Sequence, residues 1–344
     1  MPMLDRIEIE GFKSIKHLEF HLGKVNVLIG PNGSGKSNVL GAMLLLRDTL
    51  SDDELVTNVL RSGGANKILH FGAKNTERIR FEIDFHEMPE AYEQELLASE
   101  GDNLFARRFP IFGDEQWNSY RWQRQIIRQF RCYHFQDTSP SSPIRKITDL
   151  HDNRYLRPNG SNLAAILYFL RQKHSSSYSM IRHTVQLAAP FFEDFQLKPL
   201  ALNEDKIRLE WRHWGSDAYF DASSFSDGTL RFLSLATLLL QPPRIRPSVI
   251  IMDEPELGLH PYAITLLASL IKQASTDSQV ILATQSPVLL DHFEPEDVLV
   301  ADRAGGTTQL TRLDPEQLKA WLNEFSLGQL WEKNEFGGRP ARES

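Results

Sequence analysis

The chain has one cysteine, Cys132, in 344 residues. It therefore cannot hold an internal disulfide framework, and it fits a reducing cytoplasm. No apolar run approaches the about 20 residues needed to cross a bilayer; LATLLL at 235–240 is among the longest and reads as helix core. Also lacking are an internal repeat, a low-complexity tract and a heptad series long enough for a coiled coil. His151, His174 and His183 show no consistent metal-ligand spacing, which counts against a zinc site. Basic charge is in the minority: the net charge of −7 argues against a wholly basic nucleic-acid binder but leaves room for a local patch. The opening MPMLDRIEIEGFK alternates charged and apolar residues and reads as neither a secretory signal nor a transit peptide.

What is present is an ordinary globular composition, 41% hydrophobic and 24% charged, sufficient for one or two domains with a substantial core. LDRIEI at 4–9 alternates as a half-buried strand should, GFKSI turns, and strands follow near 17–21 and at 25–29. RIRFEIDF at 78–85 alternates again. Residues 89–100 read as an acidic helix, and the aromatic, arginine-rich 117–135 mostly as strand. TSPSSP at 138–143 is a break. Ser161 can cap a helix over 162–172, with another over 179–189. Strand signals return at 197–202 and 206–211. FSDGTL then opens a helix over 229–240 that QPPRIRP stops. A buried strand at 249–252, a helix at 261–274 and a buried strand at 279–283 complete the pattern.

Two stretches carry chemistry. GPNGSGKS at 30–37 fits G-x-x-x-x-G-K-[ST] between an apolar strand and a helix-like segment, the context in which that pattern works. Gly30, Gly33 and Gly35 let backbone N–H groups turn inward around a phosphate. The nucleotide-binding set is then Gly30, Asn32, Gly33, Ser34, Gly35, Lys36, Ser37 and Asn38. Lys36 places a cation near the β/γ oxygens, and Ser37 offers its hydroxyl to Mg²⁺. VIIMDEPE at 249–256 is a buried strand ending in two carboxylates: Asp253 for the metal, Glu254 to polarise an attacking water. A triphosphate-binding and hydrolysing chain is expected, with Lys36 and Glu254 catalytic.

Simple P-loop kinases and GTPases hold these parts within roughly a hundred residues, inside one domain of ordinary size. Here a long insert intervenes, then S-D-G at a helix start, the acidic strand, and a strand ending in Thr-x-Ser. That order resembles the ABC-type ATPases of the SMC/RecF-like branch, and more closely its compact bacterial RecF-like members without a long coiled coil. GFKSIKHLEF with NVLIGPNGSGKSN, FSDGTLRFLSLATLLL, DEPELGLHP, YHFQDTSP, LRPNGSNLAAILY and LGQLWEKNEFGG carry the likeness over nearly the full length.

The resemblance implies an α/β, two-lobed P-loop head: lobe I over 1–145, a short helical insertion over 146–192 and lobe II over 193–344. It places Gln136 at the metal-sensing Q-loop, Ser226, Asp227 and Gly228 in the signature, His260 in the D-loop, and Lys13 and Ser14 beside the nucleotide. It also implies a homodimer that sandwiches ATP and Mg²⁺, serving DNA repair or phage defence with a separately encoded nuclease or other effector, with DNA as a ligand and no membrane. Two other readings are a regulatory module gated by ATP with little turnover, and a transporter's nucleotide-binding subunit, against which GFKSI, FSDGTL and DEPELGLHP count. One departure stands out: Gln285 occupies the place of the usual histidine after Thr284. An amide has similar reach but no proton charge, so binding with slow turnover is expected. Arg121, Arg124, Arg128 and Arg131, with Trp117, Tyr120, Trp122 and Phe130, would share a helical face as a DNA-binding strip, but the aromatic content equally favours strands, which would scatter them. A solvated face paired with nearby acids is the commoner explanation, here and at Arg107 and Arg108.

Overall fold

The computed structural model describes residues 3–99, 101–107 and 114–337. Its contacts divide the chain into two compact units, and the division is not linear. The first unit gathers Met1–Cys132, Ser248–Asp253 and Gln279–Ser344; the second gathers Tyr133–Pro247 and Glu254–Ser278. The expected boundaries at 145 and 192 are thus drawn differently, because parallel pairing returns late strands to the sheet begun by early ones. The helices Leu163–Lys173 and Ser175–Ala188 belong to the second unit.

The first unit is built on a six-stranded sheet. Its order is Thr307–Arg312, Val298–Ala304, Val25–Ile29, Gln279–Thr284, Val249–Asp253, with Cys132–Tyr133 at the edge. Val25–Ile29 pairs in parallel with Val298–Ala304 and Gln279–Thr284, and the latter with Val249–Asp253. Every residue of Val25–Ile29 and Gln279–Thr284 is buried, so neither strand carries a solvent-facing polar series. The register sets Ile29 opposite Thr284 and Ala283 opposite Asp253. Gly30, Gln285 and Glu254 therefore leave three adjacent strands at their carboxyl ends, where open parallel sheets bind ligands.

An antiparallel sheet, ordered Ile15–His21, Leu4–Phe12, Arg78–Phe85, Tyr92–Ala98, Leu104–Arg107, completes that unit. Ile7, Ile9, Phe81 and Ile83 from it share one core with Leu40, Met43 and Leu46 of the helix Lys36–Asp48, each buried side chain contributing about 1.5–3 kcal/mol. On the other face Glu19, Glu8, Glu82 and Glu93 line up in register across four strands. Like charges so opposed repel. Arg6 holds the row by bonding Glu8 at 2.8 Å, Asp84 at 2.6 Å and Glu82, and Arg80 bonds Glu82 at 2.6 Å.

Two expectations are corrected here. Residues 92–98 of the supposed acidic helix form the strand Tyr92–Ala98, with Tyr92, Gln94, Glu95 and Leu96 buried. Pairing with strands on both sides outweighs a helical composition; Glu100 lies outside the described residues. The supposed strand at 117–135 is mostly the helix Asp114–Ile127, with Gln123, Ile126 and Ile127 buried at helical spacing. Of the paired arginines, Arg107 bonds Glu95 at 2.9 Å, and Arg108 lies outside the described residues.

The second unit packs helices Leu163–Lys173, Ser175–Ala188, Asp227–Leu239 and Pro261–Ala274 against one another. The expected strand at 206–211 splits between Asn203–Ile207 and Glu210–His213, which belong to separate three-stranded sheets. Asn162 rather than Ser161 stands at the cap of the helix Leu163–Lys173. Among the described residues no helix is long and apolar enough to cross a membrane.

Candidate nucleotide site

The loop between Val25–Ile29 and Lys36–Asp48 takes its shape from glycine. Gly33 and Gly35 sit at φ 83° and 106°, in the left-handed region that side chains avoid. A Cβ on Gly35 would run into the Thr308 side chain, 2.7 Å from its Cγ2, and one on Gly30 would lie 2.7 Å from Ser34 Oγ. Lys36 Nζ is buried and donates to Gly30 O at 2.5 Å and Pro31 O at 3.0 Å, curling the ammonium back over its own loop. Ser34 Oγ is buried without a hydrogen-bond partner. An orphaned hydroxyl inside a glycine-shaped cradle fits an oxyanion.

Ser37, in the first helical turn, donates its hydroxyl to Asp253 Oδ2 at 3.3 Å. One hydroxyl and one carboxylate oxygen make a hard donor set suited to Mg²⁺ completed by water and phosphate. Burial and the Asp253 charge push the Cys132 thiol up, so the lone cysteine stays protonated beside this site. Glu254 follows at φ 46°, uncommon for a side chain with a Cβ. From the adjacent strand end Gln285 Nε2 donates to Asn32 Oδ1 at 2.9 Å, tying that strand end to the glycine-rich loop.

Ser14 packs behind the same loop, and Lys13 precedes it. Lys13 is exposed at φ 45°, its carbonyl accepting from His70 Nδ1 at 2.6 Å. Ser14 Oγ accepts from Asn38 Nδ2 at 2.6 Å and shares a bond with Thr308 Oγ1 at 2.7 Å. Thr308 in turn donates to Ser34 O at 3.1 Å. Asn38 and Ser14 thus form part of a polar brace behind the cradle, and Thr308, which no sequence signal marked, closes it.

Ser226, Asp227, Gly228, Gln136 and His260 belong to the second unit. Ser226 Oγ accepts from Thr229 N at 3.2 Å and caps the helix Asp227–Leu239. Asp227 pairs with Arg145 at 3.0 Å, and Arg145 also donates to Thr138 O at 2.8 Å and to Ala222 O. Gly228 is required because a Cβ there would lie 2.5 Å from Gly258 O. Arg231 donates to Phe135 O at 2.9 Å, Gln136 O at 2.8 Å and Leu257 O. Gln136 is exposed in a turn past the two-residue strand Cys132–Tyr133, not at the end of a long one. His260 Nδ1 accepts from Tyr262 N at 3.2 Å, capping the helix Pro261–Ala274. Arg145 and Arg231, the residues that organise these segments, were not singled out from sequence.

A family model described as an AAA domain, putative AbiEii toxin of a type IV toxin–antitoxin system, matches residues 25–291. The chain belongs to this AAA-domain family. That span runs from the strand before the cradle to past Gln285. In fold the chain is similar to the Smc head domain of Pyrococcus furiosus crystallised with the C-terminal domain of ScpA. The two are 15% identical with a TM-score of 0.66, over 94% of this chain and 99% of that one. It carries the SMC-head form of the P-loop NTPase fold. Among curated proteins, the chromosome partition protein Smc of Methanocaldococcus jannaschii is 41% identical over 59 residues, 17% of this chain and 5% of that protein. The uncharacterized protein YbjD of Escherichia coli strain K12 is 48% identical over 50 residues, 14% of this chain and 9% of that protein. The matched segments thus span less than a tenth of either curated relative. An AAA-family ATPase fold of SMC-head form implies ATP binding.

Proposed function

We propose that this AAA-family chain binds and hydrolyses ATP with Mg²⁺, and that two copies close around the nucleotide. The observation that carries the reading is the approach of Ser37 Oγ to Asp253 Oδ2, 3.3 Å, from segments 216 residues apart. Lys36 and the amides around Gly33 and Gly35 hold the phosphates, and the Ser34 hydroxyl finds its missing partner there. Ser37 and Asp253 hold the metal. When bound, Mg²⁺ draws charge off the phosphoryl group in transfer. Glu254 orients and deprotonates the attacking water, and Gln285 reads the terminal phosphate from its bond to Asn32. Lys13 and Ser14 border the nucleotide.

Ser226, Asp227 and Gly228 start a helix, so their hydroxyl and amides form an anion site that serves the partner copy. Differential affinity of ATP for the closed pair is then the switch. In the cytoplasm the cycle serves repair or phage defence on DNA, with a separately encoded nuclease or other effector reading the closed state. The test is Ser226→Arg. With a non-hydrolysable ATP analogue, light scattering is expected to show the wild type as a dimer and the variant as a monomer that still binds nucleotide. A wild type that stays monomeric, or a variant that pairs normally, would sink the sandwich.

One observation favours a second reading, an ATP-gated module with little turnover. The sensor is a neutral amide already engaged with Asn32. A histidine there adds charge-assisted bonding of about 1 kcal/mol. Gln285→His is therefore expected to raise steady-state phosphate release about fivefold. No increase would show that the amide does not limit turnover.

A further inference from the structure

The helix Asp114–Ile127 presents a face that the nucleotide site does not use. Trp117, Arg121 and Arg124 fall at i, i+4 and i+7, and Arg128 continues the turn through its amide bond to Arg124 O at 2.9 Å. At about 100° per residue these four side chains start within roughly 60° of arc. The opposite side holds the buried Gln123, Ile126 and Ile127. Trp117 is 47% exposed, although a large aromatic ring gains most from burial. Among the described residues neither Arg121 nor Arg128 is engaged by a carboxylate. Arg124 lies with its guanidinium 5.4 Å from the Tyr120 ring centroid and donates to its hydroxyl at 3.3 Å. With Asn118 and Gln125 these side chains line an open groove of about 760 Å³.

We propose that this face binds single-stranded nucleic acid, the arginines on phosphates and Trp117 stacked on a base. A basic stripe that no described carboxylate neutralises, on a chain of net charge −7, is a local anion site rather than part of a general field. The arginines alone would serve any polyanion. The exposed indole in the same stripe selects one whose flat rings are free to stack, which a single strand offers and a duplex or an acidic peptide does not. Helical rise spaces Trp117, Arg121, Arg124 and Arg128 by about 4.5–6 Å along the groove. The site names a ligand for the nucleic-acid role proposed above, yet it does not use the cradle, so binding must survive Lys36→Ala.

The full chain is titrated with a labelled oligothymidylate of about 15 nucleotides, at several salt concentrations, beside a duplex of equal length and polyglutamate. The strand is expected to bind tightest. Trp117→Ala should weaken it about tenfold and Trp117→Phe should restore most of that loss. Arg121→Gln with Arg128→Gln should reduce the salt slope by about 1.4, two contacts at about 0.7 each. The Trp117 and arginine variants should keep the wild-type melting midpoint and ATP affinity. Tighter binding of the duplex, equal displacement by polyglutamate, or full affinity in Trp117→Ala would overturn the assignment. Loss of strand binding in Lys36→Ala would instead place the contact at the nucleotide site.

Discussion

Lys36→Ala is expected to weaken ATP binding at least about a hundredfold, measured by calorimetric titration in the presence of Mg²⁺. Nζ is buried and rests on the carbonyls of Gly30 at 2.5 Å and Pro31 at 3.0 Å. Phosphate oxygens would replace neutral carbonyl acceptors with charged ones. Two such charge-assisted bonds are each worth about 1.5–3 kcal/mol, and about 2.7 kcal/mol is already a hundredfold. Lys36→Arg tests whether charge suffices. A planar fork does not fit a pocket shaped for an ammonium, so its affinity should recover only in part. Normal affinity in the alanine variant would remove the phosphate loop from the function altogether.

The residues that this experiment probes are legible in the amino-acid sequence alone, and the reason is local. A glycine-rich loop between a buried strand and a helix announces itself within a dozen residues, as does an apolar strand ending in two acids. The sheet then does what a parallel register must: Ile29, Thr284 and Asp253 stop at the same edge. Illegibility begins where partners are remote. Thr308 meets Ser34 across 274 residues, Arg231 meets Gln136 across 95, and Arg145 meets Asp227 across 82. Nothing in their local sequence distinguishes those arginines from solvated ones.

The exchange of helix for strand at 92–98 and 114–127 has the same origin. Tyr92, Gln94 and Leu96 become a strand because Arg78–Phe85 and Leu104–Arg107 pair on either side. Trp117, Tyr120 and Trp122 have strand-like composition, but Ile126 and Ile127 with Gln123 supply a buried helical side. Propensity in such segments is a weak prior that tertiary pairing overrides. The difference matters functionally, because only the helix puts Arg121, Arg124 and Arg128 on one face.

Glu254→Gln is expected to leave ATP binding intact, cut phosphate release by about 10²–10⁴, the range for a lost general base, and accumulate the closed dimer. The backbone supports giving this residue the chemical role. Glu254 sits at φ 46° directly before Pro255, where the proline ring narrows the conformations open to it. Such strain costs about 1–3 kcal/mol and persists where the surroundings enforce it, commonly at functional sites. Glutamine keeps the shape and the backbone, so what it removes is the charge and the ability to take a proton. Glycine at 254 relieves the strain as well. Glu254→Gly should therefore raise the melting temperature while turnover stays lost, a separation that a merely structural carboxylate would not give. The measurements are phosphate release and light scattering with ATP. Undiminished release in the glutamine variant would exclude Glu254 as the group that activates water. Lost release without accumulation of a dimer would detach hydrolysis from opening, leaving the site an ATPase whose cycle drives no association.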